Sequence, residues 1–232
     1  MAADQAISEA VSGDDAPATI RFYTWKPSAV SIGCFQSMKD EVNIERCREL
    51  DVDWVRRRTG GGAVFHDASG ELTYSVIAKE HHLPAGIHES YRHISAWIID
   101  GLKSVGIEAT YAPINDIVVQ GRKISGNAQT RREGIFLQHG TILYDLDVMK
   151  MFSVLKVDAA KISDKMVKSV EERVTKVLNH ADITQEELYD AMLKSFTDGK
   201  EYSMGAMSEN ELTRTKELAE TVYKTDAWNF SR

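Results

Sequence analysis

The stretch RRRTGGGAVFHD, Arg56 to Asp67, constrains this chain more than any other. Glycine loses more backbone freedom on folding than any other residue, so three in a row are costly unless the backbone itself is needed there. Strand-like residues flank them, Asp53 to Arg58 before and Ala63 to His66 after, which makes the glycines a loop between strands. One use of such a loop is a tight turn rimmed by solvated arginines. Another is a backbone that passes close to a bound anion, with arginine beside it. The segment alone leaves both open.

The rest of the chain supplies the frame. Thr19 to Trp25 and Ala29 to Phe35 read as strands joined by a turn at Lys26 to Ser28, and Glu71 to Ala78 as a third. Tyr91, Ile94, Trp97, Ile98 and Leu102 recur at helical spacing between Glu89 and Val105, with Gly106 as the stop. Asp116 to Val119, Lys123 to Ala128 and Ile135 to Leu143 are short strands, with turns at Gly121-Arg122 and Glu133-Gly134. The last third is helical, and Thr184 with Glu187 and Ser208 with Glu211 fit the reciprocal capping box. Strands flanked by helices, without regular βαβ alternation, predict an α+β fold built on a mixed or antiparallel sheet. At 232 residues the chain is long enough for one substantial core, or for one domain plus a small annex.

A net charge of −7 argues against a dedicated nucleic-acid binder, although the three arginines can still form a local basic pocket. No apolar run approaches the roughly 18 residues of a membrane span, and the start MAADQAISEA lacks a signal peptide's pattern. Two cysteines, Cys34 and Cys47, suit a reducing cytosol, so a cytoplasmic protein is expected. The placing of these thiols suggests a packed Cys34 and a surface Cys47. Walker, dinucleotide-fold, zinc-protease and serine-hydrolase motifs are absent.

Two further stretches carry chemistry. In NDIVVQGRKISGNAQ, Lys123 opens a strand among the small residues Ser125, Gly126 and Ala128, which leave room for a ligand, and Asp116 is placed to hold a metal or an ammonium. In FLQHGTILYDLD, His139 interrupts an apolar strand. KMVKSVEERVTKVL, Lys165 to Leu178, reads as a surface helix or a mobile clamp.

Together RFYTWKPSAVSIGCFQ, RRRTGGGAVFHD, NDIVVQGRKISGNAQ, LQHGTILYDLD and KSVEERVT resemble the lipoate–protein ligase A group of the biotin/lipoate ligase and octanoyltransferase family, over essentially the whole chain. The resemblance implies a biotin/lipoate ligase-like α+β fold with a mixed β-sheet core flanked by helices, related to class II synthetase cores, and a single catalytic domain over residues 1–232. It also implies an ATP-dependent lipoate–protein ligase that uses Mg²⁺ and a lipoyl-AMP intermediate to place lipoate on a lysine. The implied acceptor is a lipoyl-domain protein of the E2-subunit or glycine-cleavage H-protein type. By position, Arg57, Gly62, Ala63, Val64, Phe65, Asp116, Lys123 and Arg173 would contact ATP or the adenylate, with Lys123 catalytic and Asp116 assisting through Mg²⁺. Thr59, Gly60, Gly61, His66, Ser125, Gly126, Ala128 and His139 would line the lipoate site, and Ser169 to Arg173 would close over the adenylate. Two departures from the family pattern are expected: a missing first strand before MAADQAI, and no C-terminal accessory domain, so that a separate accessory-domain protein is implied. The alternatives are an octanoyl or lipoyl transferase, which needs an activated thiolate where TYAPIND has none, and a non-catalytic member that binds an acyl-adenylate partner.

Overall fold

Two sheets divide the strands. The computed structural model describes residues 1–156 and 172–232. Along the chain run α1 (Ala2–Ser12), β1 (Thr19–Tyr23), β2 (Ala29–Ile32), α2 (Met38–Glu41), α3 (Ile44–Glu49), β3 (Asp53–Arg56), β4 (Val64–His66), β5 (Glu71–Lys79) and α4 (Ile87–Ser104). They are followed by β6 (Thr110–Ala112), β7 (Asp116–Val119), β8 (Arg122–Arg132), β9 (Ile135–Leu143), α5 (Val148–Val154), α6 (Gln185–Thr197), α7 (Glu209–Leu218) and α8 (Asp226–Asn229). The larger sheet has the order β1-β5-β9-β8-β7-β6, every pair antiparallel. The smaller has the order β3-β2-β4, with β3 parallel and β4 antiparallel to β2.

The fold is thus α+β as expected, with the mixed character confined to the small sheet. β9 is buried at all nine positions, because both faces of the large sheet are covered. On one face Tyr74, Ile117, Ile124, Phe136 and Ile142 pack against Ile94, Ile98 and Leu102 of α4 and Leu188, Met192 and Phe196 of α6. On the other face Ile77, Ile135 and Leu137 meet Ile7 and Val11 of α1. The small sheet builds its own core from Val30, Ile32 and Phe65 against Met38, Cys47 and Val154.

Local chemistry explains most element ends. The hairpins β7–β8 and β8–β9 turn at Gln120-Gly121 (φ 51° and 76°) and Glu133-Gly134 (φ 54° and 77°), both in the left-handed region that two-residue hairpins need. The first turn therefore sits one residue earlier than the sequence reading placed it. Both capping boxes form, each with the N-cap hydroxyl and the glutamate carboxylate satisfying backbone amides. One expectation is reversed, that of a packed Cys34 and a surface Cys47, and the strand partners are new. β3 and β4 do not pair with each other but lie on opposite sides of β2, and β5 belongs to the other sheet. Cys47 is wholly buried, with burial raising its thiol to about 11, whereas Cys34 is half-buried. No described helix is long and apolar enough to cross a membrane.

Candidate functional site

The placement of β3 and β4 explains the glycines. Residues 57–63 leave one side of β2 and return on the other, so they cross over its C-terminal end. There they pass against Gly33, where an added Cβ would fall on the carbonyl oxygen of Gly61 and 3.1 Å from the carbonyl carbons of Gly60 and Gly61. Gly61 itself has φ +98°, a backbone state that side chains disfavour. A Cβ on Gly62 would meet nothing within 4 Å.

The arginines are not a solvated rim. The Arg56 guanidinium, 1% exposed, donates to the carbonyls of Gly33, Cys34, Gln36, Trp228 and Asn229. Arg57 also turns inward. Its guanidinium donates to Ser31 O and Oγ and, at 2.8 Å each, to the carbonyls of Gly60 and Gly62. Burial pulls its pKa down to about 10, with Cys34 and Tyr91 opposing the shift. Among the described residues no hydrogen bond occupies the amides of Gly60, Gly61 and Gly62, two of which are exposed. The loop therefore turns carbonyls inward and leaves three amides free, an arrangement suited to an anion or a developing oxyanion.

The large sheet supplies the opposing surface. Strand alternation places Gly126 and Ala128 on the same face as Thr141 and His139, their partners on β9. A bulge between Ile117 and Val118 brings Lys123 to that face as well. Its side chain lies across Gly126, where a Cβ would stand 2.6 Å from both Cε and Nζ. The Lys123 ammonium is 2.7 Å from Asp116 Oδ1, an ion pair that does not meet hydrogen-bond alignment. The Lys123 backbone is fixed by its N–H to Arg173 O (2.7 Å) and by its carbonyl, which accepts from Thr175 N–H (2.8 Å).

The remaining sequence candidates separate. Thr59 is fully buried and bonds His139 at 2.8 Å, joining the loop to the large sheet. Desolvation holds His139 below the usual histidine range, and Asp4 only partly offsets it. His66 is buried between Ser31 and Glu71 with Trp25 stacked on its ring, so it meets the loop through Arg57. Phe65 packs into the small sheet's core, next to half-buried Ala63 and Val64. Ser125 faces the helix-covered side with Ile142, opposite to Gly126 and Ala128. Arg173 is exposed and enters through its carbonyl; Ser169 to Glu171, with the rest of the first half of the clamp segment, lie outside the described residues. For a divalent cation the fit is thin: Asp116 is already paired with Lys123, and no group of three or more His, Cys, Asp or Glu forms among the described residues. A cavity of about 160 Å³ beside His139, Asp4, Arg58 and Tyr223 is lined by neither Lys123 nor the glycines. Sequence reading missed Ser31, Glu71 and Asp4; Ser31 and Asp4 are each a polar residue in an otherwise apolar strand or helix face, the one signal available.

Residues 1–197 match the lipoyl protein ligase A/B catalytic domain, and the chain belongs to that family. Its relatives include octanoyltransferase LipM of Brevibacillus brevis, 35% identical over all of this chain and 94% of its own length, and LipM of Staphylococcus aureus at 34%, with the same coverage. Among solved structures, the bipartite lipoate protein ligase of Thermoplasma acidophilum, described with its E2 lipoyl domain, superposes with a TM-score of 0.87 at 30% identity, covering 99% of this chain and 89% of that one. A lipoate–protein ligase A bound with ATP superposes at 0.85 with 28% identity, covering 99% and 92%. These relatives correct one expectation. An ATP-dependent, acyl-adenylate-forming enzyme was implied by the motifs, but the full-length curated relatives are octanoyltransferases by name, and transfer moves an acyl group that is already activated.

Proposed function

We propose that this chain is an acyltransferase that moves an octanoyl or lipoyl group from an activated carrier to a lysine of a lipoyl-domain acceptor. The observation that carries this reading is a glycine loop whose amides have no partner among the described residues, joined through Thr59 and His139 to the sheet face that also carries the Lys123 ammonium. Both stabilise negative charge on an acyl carbonyl under attack. The acceptor amine adds to the carbonyl, the C–N bond forms, and the bond to the carrier breaks. When that carrier is a thioester it leaves as a thiol, taking up a proton, and the amine releases one. Lys123 then acts as a fixed cation, with Asp116 setting its direction. Gly126 leaves room for the Lys123 side chain, and Ala128 for the acyl chain.

The reading also gives Cys34 a place. Its amide donates to Thr59 O at 2.9 Å, so the Cys34 backbone is fastened to the loop, while residues 110–116 hold no cysteine. The test supplies purified chain with an octanoyl thioester and a lipoyl-domain acceptor, with and without ATP, free lipoate and an accessory-domain protein, and follows the acceptor by intact mass. Acceptor modification from the thioester without ATP supports the proposal. Modification only from free acid plus ATP overturns it. A hydroxylamine-labile acyl adduct that disappears in Cys34→Ala identifies a covalent route; no adduct identifies direct transfer.

A further inference from the structure

We infer that two histidine relays hold the glycine loop in its working shape, which makes Ser31, His66 and Glu71 on one side, and His139 and Asp4 on the other, positioning residues for the transfer; this deepens, and rests on, the acyltransferase reading. The loop has two inward side chains, Arg57 and Thr59, only 4% and 0% exposed. The free amides of Gly60 to Gly62 follow directly after them. Whatever fixes these two side chains fixes the amides.

Arg57 ends the first relay. Glu71 Oε1 is 2.6 Å from His66 Nδ1, and His66 Nε2 is 2.8 Å from Ser31 Oγ. Ser31 Oγ accepts from Arg57 at 3.2 Å. A guanidinium only donates, so the serine proton is directed to His66 Nε2, and the imidazole carries its own proton on Nδ1, towards Glu71. One tautomer satisfies both ring nitrogens and the serine hydroxyl. Trp25 stacks on the ring at 4.1 Å and reaches Glu71 through Thr73, which prevents the ring from turning.

Thr59 ends the second. Its hydroxyl is 2.8 Å from His139 Nε2, and His139 Nδ1 is 3.4 Å from Asp4 Oδ2. Asp4 is ion-paired with Arg21. The carboxylate accepts, so Nδ1 is again the protonated nitrogen, and the Thr59 O–H donates to Nε2. The order carboxylate, imidazole, hydroxyl therefore occurs twice, drawn from β5, β4 and β2 in one case and from α1, β9 and the loop in the other. Neither ring has a nitrogen left for substrate. Neither hydroxyl is a nucleophile, because Ser31 is 2% exposed and Thr59 is fully buried. Orientation is the remaining use.

The test compares Ser31→Ala, Thr59→Val and Thr59→Ser. In each free protein, hydrogen exchange of the Gly60 to Gly62 amides is followed, together with KM for the octanoyl thioester and for the acceptor, and kcat. A lost hydrogen bond to a charged or buried partner corresponds to about tenfold to a hundredfold. Ser31→Ala and Thr59→Val should speed loop exchange and raise the donor KM by about that factor, with acceptor KM unchanged. Thr59→Ser, which keeps the hydroxyl, should restore both. Unaltered loop exchange in Ser31→Ala and Thr59→Val overturns the inference, as does a Thr59→Ser variant as impaired as Thr59→Val. Faster loop exchange in a protein that shows no transfer at all supports the relays while removing the acyltransferase reading.

Discussion

Gly33→Ala isolates the crossing of the glycine loop over β2. The new methyl would coincide with the carbonyl oxygen of Gly61 and crowd two more backbone carbons at 3.1 Å. No side chain can rotate away, so the loop must lift as a whole. Overpacking of this kind costs about 1–3 kcal/mol, and the upper half applies where the obstructing atoms are backbone. For a chain of this size each kcal/mol corresponds to about 2–4 °C, so the melting temperature should fall by about 4–12 °C. Gly62→Ala is the control. Its methyl meets nothing within 4 Å and its φ is not positive, so the same chemical change should leave the melting temperature unchanged or raise it slightly. Thermal unfolding gives the stability difference, and acyl transfer measured well below both melting points gives the functional one. Gly33→Ala should lose transfer in its folded state because its loop amides have moved. If both alanine variants melt and turn over alike, the loop does not press on β2 and the account of the three glycines is wrong.

Other perturbations address separate parts of the site. Lys123→Met should lower the transfer rate by about a hundredfold while melting within about 1 kcal/mol of the parent, since the Lys123–Asp116 pair is partly exposed; near-full activity would remove Lys123 from the chemistry. Arg56→Lys replaces five carbonyl contacts by a single ammonium, and should cost about 3 kcal/mol in denaturant unfolding. His139 is held neutral by burial, so the unfolded state binds its proton more readily; stability should decline as pH falls below about 6.5, and His139→Gln should flatten that part of the pH–melting curve. Asp4 acts lower. Burial would raise its carboxyl, but the terminal ammonium, His139 and Arg21 outweigh that, so its contribution is present above about 3.8 and disappears as pH drops further, a loss Asp4→Asn should abolish.

What the residues disclose depends on how local the cause is. The capping boxes at Thr184 and Ser208, and the turn at Glu133-Gly134, are set by neighbours in sequence and were legible. The strands around the glycines were legible as strands, but not their partners, because pairing is decided by β2, which lies more than twenty residues upstream of both. Gly126 and Ala128 share a face by alternation, but Lys123 joins them only through the bulge, which the residues do not announce; Ser125 was wrongly joined to them by the same stretch read without that parity. His66 was recognised as a site residue, yet its partners Ser31 and Glu71 look like ordinary strand positions until two sheets bring them within 3 Å. The ligase chemistry carried by the motifs failed for a different reason: one fold and one loop serve several acyl-transfer reactions, and motif wording does not separate them.

The five carbonyls gathered by Arg56 also set an order of events during synthesis. Three of them, on Gly33, Cys34 and Gln36, are available as soon as the N-terminal quarter has emerged. The other two, on Trp228 and Asn229, lie 172 and 173 residues further along. A buried guanidinium with part of its fork unfilled is a poor resting state, and contacts this remote in sequence close late. The glycine loop sits next to that arginine, so a nascent chain can assemble its large sheet while the loop is still unsettled. Its amides therefore reach their final geometry only after Trp228 and Asn229 have been made.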